Sequence, residues 1–183
     1  MSVIVDGKVK LTYRELEQFP DDGKRHEIID GEHYVSPSPS TYHQTVSRRL
    51  QFELYQQLEL AGLAQVFDAP TDVELSEIDI LVPDIFVVDE VRRQIISPSR
   101  IIGSPDLVIE ILSPSTSKRD LELKRQVYEK RQVPAYWIVD PNAQRIAVFD
   151  LTEGRYVERG SFHDQIDYAV GGNRGTVDLG RVW

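Results

Sequence analysis

Two carboxylates stand in parts of this sequence where charged side chains are out of place. Asp84 follows Pro83 inside an apolar run over residues 81–88, and Glu110 lies inside a second apolar run over residues 107–112. Carboxylate oxygens are the ligands that Mg²⁺ prefers in proteins, and Mg²⁺ uses one or two of them while it keeps several waters. A nearby lysine can orient one of those waters, help to deprotonate it, or neutralise charge that develops on a phosphate. The pattern therefore indicates metal-assisted hydrolysis.

The run that carries Glu110 predicts a buried strand. It is short, continuous and rich in β-branched residues, and Ser113-Pro114 closes it, which is typical of a strand buried on both faces. Removing an ionised carboxylate from water costs several kcal/mol even after relaxation. Glu110 must therefore be paired, protonated or bound to a cation.

The segment after this strand supplies a lysine. Ser117 and Asp120 form a capping-box pattern and Pro134 limits the far end, which predicts a helix from about residue 118 to residue 131. Its apolar arc consists of Leu121, Val127 and Tyr128. Lys124 falls inside that arc, so its ammonium is aimed at the layer that contains Glu110. The alternatives are a purely structural Glu110–Lys124 ion pair, or a lysine that reaches the surface along its stem.

The run that carries Asp84 predicts a second strand. Proline has no N–H for a central ladder, so Pro83 should lie at a bulge or at the beginning of the strand, where Asp84 can be redirected. The alternative is that Asp84 is only a turn residue next to proline. In the first interpretation, Asp84 and Glu110 lie side by side on adjacent strands, and one of them has a raised pKa.

Four motifs, supported by three further features nearer the N-terminus, resemble a known family. The motifs are P-D-I-F-V-V at 83–88, D-L-V-I-E-I-L-S-P-S-T at 106–116, K-R-Q-V-Y at 124–128 and Y-W-I-V-D-P at 136–141. The supporting features are H-E-I-I-D-G-E at 26–32, S-P-S-P at 36–39, and His43. Together they resemble the Uma-two-like restriction endonucleases of the PD-(D/E)XK nuclease superfamily, over residues 10–160.

The resemblance implies a metal-dependent endonuclease. It implies that Asp84, Glu110 and the main-chain carbonyl of Ile111 hold Mg²⁺ or Mn²⁺. Lys124 would assist the attacking water, and Glu27 would support a second ion or position that water.

One position departs from the usual superfamily pattern. Leu112, and not a lysine, occupies the second position after Glu110. The resemblance implies that the lysine has moved to the following helix, where Lys124 stands, in agreement with the helical periodicity. Lys118 is the competing lysine, but it lies nearer the helix start and off the apolar arc.

Two further site candidates lie near the N-terminus. Asp30-Gly31 predicts a hairpin with arms at 26–29 and 32–35. Glu27 lies on its first arm, where spacing alone favours an exposed strand residue. A helix is predicted over 41–61, and His43 falls on its apolar face. A histidine in that position is more often a hydrogen-bonded core residue than a catalytic one, so His43 is a secondary candidate.

Composition bounds the class of protein. The chain has 183 residues, of which 40% are hydrophobic, so we expect a single domain over residues 1–183. It has no cysteine, which excludes disulfides and thiolate chemistry and fits a reducing compartment. The sequence shows no export signal and no apolar run approaching the roughly 20 residues of a membrane helix. We therefore expect a cytoplasmic protein without a membrane partner.

The charge of the chain opposes a nucleic-acid partner at long range. The formal net charge is −9, and such a charge repels phosphates. Residues 91–131 are the exception, because they hold nine basic and five acidic side chains. A basic face beside the site is one interpretation of this segment, and a solvated helix surface is the other.

The predicted fold is α/β (α+β), with a restriction-endonuclease-like core in which helices flank a mixed central sheet. An N-terminal hairpin precedes the core, and an antiparallel meander that begins near residue 135 follows it. The leading hypothesis is Mg²⁺-dependent hydrolysis of DNA phosphodiester bonds. An inactive nuclease-fold domain that binds nucleic acid or protein is the second hypothesis, and a hydrolase of another substrate is the third. A homodimer stays an open alternative.

Overall fold

The computed structural model describes residues 3–5, 7–36, 38–113 and 118–183. The helices are α1 (Tyr13–Leu16), α2 (Thr41–Leu54) and α3 (Lys118–Lys130), with a π-helical continuation of α2 over Tyr55–Glu59 and 3₁₀ turns at Glu90–Ile95 and Leu179–Arg181. The strands are β1 (Val3–Val5), β2 (Lys8–Lys10), β3 (Arg25–Ile29), β4 (Glu32–Ser36), β5 (Ala64–Asp68), β6 (Val73–Ser76), β7 (Asp79–Leu81), β8 (Ile85–Asp89), β9 (Ile101–Ile102), β10 (Leu107–Ile111), β11 (Ala135–Asp140), β12 (Arg145–Thr152), β13 (Arg155–Phe162), β14 (Gln165–Val170) and β15 (Asn173–Asp178).

A six-stranded mixed sheet forms the centre of the fold. Its strand order is β13-β12-β11-β10-β8-β5. Strands β10 and β11 are parallel because α3 forms the crossover connection between them. All other neighbouring strands of this sheet are antiparallel. The predicted meander is the β11-β12-β13 end of this sheet. The predicted mixed sheet flanked by helices is confirmed.

A five-stranded sheet, ordered β4-β3-β7-β6-β9, contains the N-terminal hairpin. Strands β3 and β4 form the predicted antiparallel pair. Asp30 and Gly31 have φ values of 49° and 70°, and two successive left-handed residues are what a two-residue hairpin turn requires. The hairpin sets Glu27 and Ile28 on opposite faces of β3.

The apolar run over residues 81–88 divides between the two sheets. Strand β7 ends at Leu81 in the five-stranded sheet, and β8 begins at Ile85 in the six-stranded sheet. Pro83 lies between them, where no ladder needs its missing N–H. Asp84 therefore lies at the point where the chain passes from one sheet to the other.

Two apolar clusters fill the space on either side of the central sheet. One packs α2 residues such as Leu50 and Leu54 against β8, β10 and β11. The other packs Tyr128 of α3 against Val108 and Tyr136. The glycine-rich C-terminal segment forms the β14–β15 hairpin, which contributes Ile166, Val170 and Val177 to the first cluster.

The predicted helix over 118–131 is present as α3, while the predicted Ser117–Asp120 capping pair lies outside the described side chains. The predicted helix over 41–61 is present as α2 and its π-helical continuation. No helix in the described ranges combines the length and apolar character needed to cross a membrane.

Candidate active site

Asp84 is a buried carboxylate whose two oxygens are both occupied. Oδ1 accepts a hydrogen bond from Nη1 of Arg25, and Oδ2 accepts one from the Ile111 main-chain N–H at 2.8 Å. The side chain is 4% exposed. Burial raises the pKa of the Asp84 carboxyl, but His43 and Arg25 together outweigh burial and lower that pKa to about 2. Asp84 is therefore ionised at neutral pH.

Glu110 lies across the strand pair from Asp84. Strands β8 and β10 pair with Ile85 opposite Ile109, so extending this register by one residue sets Asp84 opposite Glu110. The Tyr128 hydroxyl donates to Glu110 Oε1 at 2.7 Å. Burial raises the pKa of Glu110 to about 7, and the charges of Asp84 and Glu27 act in the same direction, while Lys124 and Tyr128 act against it.

Lys124 joins two of the carboxylates. Its Nζ lies 2.8 Å from Oε1 of Glu27 and 3.1 Å from Oε1 of Glu110. Burial lowers the pKa of Lys124, but Glu110 and Glu27 raise it by more, so the net shift is upward. Lys124 is therefore a partly buried ammonium, with 13% of its side chain exposed, and it bridges the two sheets, because Glu27 is on β3 and Glu110 is on β10.

Glu27 is a buried site residue, contrary to the exposed strand position that its spacing favours. It is 2% exposed, and its Oε1 also accepts a hydrogen bond from the Val82 N–H at 2.9 Å. Spacing alone does not predict this burial, because the face of β3 that carries Glu27 is covered by the chain segment that leads from β7 to β8. The resemblance, and not the periodicity, identified this residue as a candidate.

His43 lies against Asp84. Its Nε2 is 3.2 Å from Oδ2 of Asp84, and since an ionised carboxylate only accepts hydrogen bonds, Nε2 carries the proton of this contact. His43 Nδ1 is buried and has no partner among the described residues. A buried polar atom without a partner costs about 1 to 3 kcal/mol, so His43 is held in place by Asp84 at some expense in stability.

Arg25 is the site residue that the sequence analysis missed. Its side chain is 22% exposed and its guanidinium pairs with Asp84. Arg25 and Glu27 are two residues apart on β3, and alternate residues of a strand share a face. That spacing could have indicated Arg25 as a neighbour of Glu27 in the site. It could be used only with knowledge of where β3 lies relative to Asp84.

The structure leaves two predicted roles open. The Ile111 N–H donates a hydrogen bond to Asp84, and a metal contact of the Ile111 carbonyl stays a prediction. Lys118 is the first residue of α3, and its side chain lies outside the described part of the chain.

The donor set is compatible with a hard divalent cation. Among the described residues, no group of three or more histidine, aspartate or glutamate side chains is arranged to hold a metal ion. Mg²⁺, however, needs only one or two protein carboxylates, and Asp84, just before β8, and Glu110, on the neighbouring β10, offer two. Burial is the main cause of the raised pKa of Glu110, and the charges of Asp84 and Glu27 add to it while Lys124 opposes it, so a cation at this point would favour the ionised form of Glu110.

Comparison with known proteins decides the family. A family described as "Uma2: Putative restriction endonuclease" matches residues 12–168. The chain belongs to this family. The Uma2 match spans the hairpin of Glu27, both central carboxylates and α3, and it confirms the resemblance found in the sequence. No curated protein matches the chain.

A solved structure supports the fold of this Uma2 member. It is a protein from Anabaena variabilis ATCC 29413 described as a "putative nuclease belonging to DUF820". The two chains superpose with a TM-score of 0.75 at 19% sequence identity, covering 94% of this chain and 97% of the other. At that identity the likeness establishes the shared fold.

The raised pKa of Glu110 gives a stability prediction for the metal-free protein. Its pKa is about 7 in the folded protein against an ordinary value of 4.5, so the folded state holds this proton more tightly than the unfolded chain does. The contribution of Glu110 to the free energy of unfolding should therefore fall as the pH rises from about 4.5 to about 7. We expect a loss on the order of a few kcal/mol between these limits.

Urea denaturation in EDTA at several pH values measures this effect, with Glu110→Gln as the reference. The wild type should lose stability relative to Glu110→Gln as the pH rises from 5 to about 8. Parallel pH profiles for the two proteins would show that Glu110 titrates near its ordinary pKa in the folded state.

Proposed function

We propose that this chain is a Mg²⁺-dependent endonuclease, also supported by Mn²⁺, that hydrolyses phosphodiester bonds of DNA within a single domain over residues 1–183. The observation that carries the proposal is the meeting of three buried carboxylates with one partly buried lysine at the junction of two sheets. Asp84, Glu110 and the Ile111 carbonyl would hold the ion. When bound, the ion would polarise the phosphate and lower the pKa of a coordinated water.

The side chains around the ion site have separate tasks. In hydrolysis, the water oxygen bonds to phosphorus and gives up a proton to the solvent, while the bond from phosphorus to the leaving sugar oxygen breaks and that oxygen takes up a proton from the solvent. The raised pKa of Lys124 keeps it protonated, so it would act as a donor that orients the water and stabilises charge on the phosphate, and not as the base. Glu27 would hold Lys124 in position through their 2.8 Å contact.

The alternative is an inactive domain in which Glu27, Glu110 and Lys124 are a structural ion cluster. The geometry of the metal-free site is compatible with this alternative, since every one of these side chains already has a partner. The family description favours the nuclease, because it names a restriction endonuclease.

A thermal melt and a cleavage assay on the same preparation test the proposal. We expect Mg²⁺ to raise the melting temperature, because a ligand that binds only the folded state stabilises it by about 2.7 kcal/mol at 100 times its Kd. We expect supercoiled plasmid to be cut with Mg²⁺ or Mn²⁺ and to stay intact in EDTA. An absence of cutting, together with equal melting temperatures with and without millimolar Mg²⁺, would favour the inactive domain.

A further inference from the structure

A pocket of about 390 Å³ opens beside Asp84, between α2 and the turn that follows β5. Arg25, His43 and Asp84 form its inner end. The wall from α2 presents Thr41, Gln44, Thr45, Arg48 and Gln51. Asp68 and Ala69 line the opposite side. The pocket is therefore continuous with the candidate active site, but most of its lining belongs to residues that the proposed chemistry does not use.

The chemistry of this lining favours a phosphate over a base. Proteins hold unstacked bases between aromatic side chains or on guanidinium planes combined with specific edge contacts. Among the described residues, the only aromatic side chain that lines this pocket is His43, whose Nε2 contacts Asp84; no phenylalanine, tyrosine or tryptophan lines it. Its lining instead combines guanidinium, hydroxyl and carboxamide groups, which are the side chains that usually contact phosphate and sugar oxygens.

We propose that this pocket binds a backbone phosphate of the nucleic acid, next to the phosphodiester that lies at Asp84, and that Arg48 is the residue that anchors it. The proposal rests on the proposed nuclease function and adds a substrate-binding subsite to it. It predicts a contact that is independent of base sequence, because phosphate contacts carry no sequence information directly.

Arg48 is suited to this task by its position and by its lack of a competing partner. It is exposed on α2, one helical turn after Gln44 and Thr45, so the three side chains lie on one face of the helix. Among the residues that the structure describes, no carboxylate forms an ion pair with Arg48. The inner end of the pocket adds the guanidinium of Arg25, which donates to Asp84 through Nη1.

Two carboxylates also line the pocket, and they act differently on an anion. The oxygens of Asp84 are both occupied by donors, and Arg25 balances its charge. Asp68 is exposed, and its charge opposes a phosphate in the pocket. Asp68→Asn should therefore have the opposite effect to the loss of Arg48.

The neighbouring Arg49 provides a matched control. It lies on the same helix with the same charge, but its Nη1 donates to the main-chain carbonyl of Trp183, away from the pocket. Arg49→Ala and Arg48→Ala therefore change the net charge of the chain equally. Only Arg48→Ala removes a cation from the pocket.

The experiment measures fluorescence polarisation of a labelled DNA duplex in EDTA, so that nothing is cleaved, over a series of salt concentrations. Each phosphate contact contributes about 0.9 to the slope of log affinity against log salt for duplex DNA. We expect Arg48→Ala to reduce that slope by about 0.9, and Arg48→Lys and Arg49→Ala to keep the wild-type slope. Asp68→Asn should bind several-fold more tightly.

Three results separate this proposal from the proposed function. A wild type that cuts DNA, with a slope that Arg48→Ala leaves unchanged or that Arg49→Ala lowers equally, overturns the subsite alone. A protein that never cuts DNA but binds it with an Arg48-dependent slope supports the subsite and overturns the nuclease. A protein that neither binds nor cuts DNA overturns both. Melting temperatures close to that of the wild type verify that each variant is folded.

Discussion

Asp84→Asn is expected to reduce DNA cleavage by on the order of 10³-fold, measured as kcat/KM with saturating Mg²⁺. Each 1.36 kcal/mol of lost transition-state stabilisation lowers the rate tenfold, and a catalytic metal supplies several kcal/mol. Asparagine has nearly the same shape as aspartate and can still accept the hydrogen bond of the Ile111 N–H. The change therefore removes one negative charge from the site while it keeps the main-chain contact.

The loss of this charge also leaves Arg25 without its partner, so stability must be measured separately. Asp79→Asn is a matched control. Asp79 is 2% exposed, pairs with Arg131 and accepts a hydrogen bond from the Asp30 N–H at 2.8 Å, so it has the same kinds of partners as Asp84. Both variants should be destabilised, because a partly buried guanidinium loses its counter-charge in each.

Only Asp84→Asn should lose cleavage once activity is corrected for the folded fraction. Equal losses of activity in the two variants would assign a structural role to Asp84. Cleavage by Asp84→Asn at the wild-type rate would remove it from the metal site.

Lys124→Met is expected to reduce cleavage by roughly 10²-fold, the scale of lost acid–base or donor assistance. In the metal-free protein it should also lower the free energy of unfolding by about 3 to 5 kcal/mol, because Glu27 and Glu110 lose their shared counter-charge inside the protein. Mg²⁺ should restore a large part of that stability if Glu110 is a ligand, since the ion then supplies the missing positive charge. Methionine is apolar and of similar length, so it fits between Val127 and Tyr128.

Melts with and without Mg²⁺, beside the plasmid assay, distinguish catalysis from structure at Lys124. The double variant Glu110→Gln with Lys124→Met removes both charges of the Glu110–Lys124 pair. A Lys124→Met protein that stays unstable at saturating Mg²⁺, and that Glu110→Gln rescues, would identify a structural pair. A stable Lys124→Met protein that cuts as well as the wild type would transfer the role to Lys118 or remove lysine from the reaction.

Local sequence patterns predicted the elements that carry Glu110 and Lys124. A buried strand has a continuous apolar run and an amphipathic helix has a period of 3.6 residues, so both residues stood out as charges on apolar faces. The inward position of Lys124 followed from that period alone, and the structure places its Nζ 3.1 Å from Glu110.

The contacts that complete the site could not be read from local patterns. The Asp84–Arg25 pair joins residues 59 positions apart and the Asp84–His43 contact joins residues 41 apart. Both depend on how the hairpin and α2 pack around the passage between β7 and β8. Within the hairpin, periodicity describes one strand at a time, so it could not show that the face of β3 with Glu27 and Arg25 is covered.

Lys124 also bears on whether the chain needs a metal ion in order to fold. A zinc finger stays unfolded until its metal arrives, because nothing else compensates the ligands. Here an ammonium already bridges Glu27 on one sheet and Glu110 on the other, and a guanidinium compensates Asp84. With the metal site proposed above, these cations would let the chain fold before it binds an ion, so folding and metal binding would be separate steps.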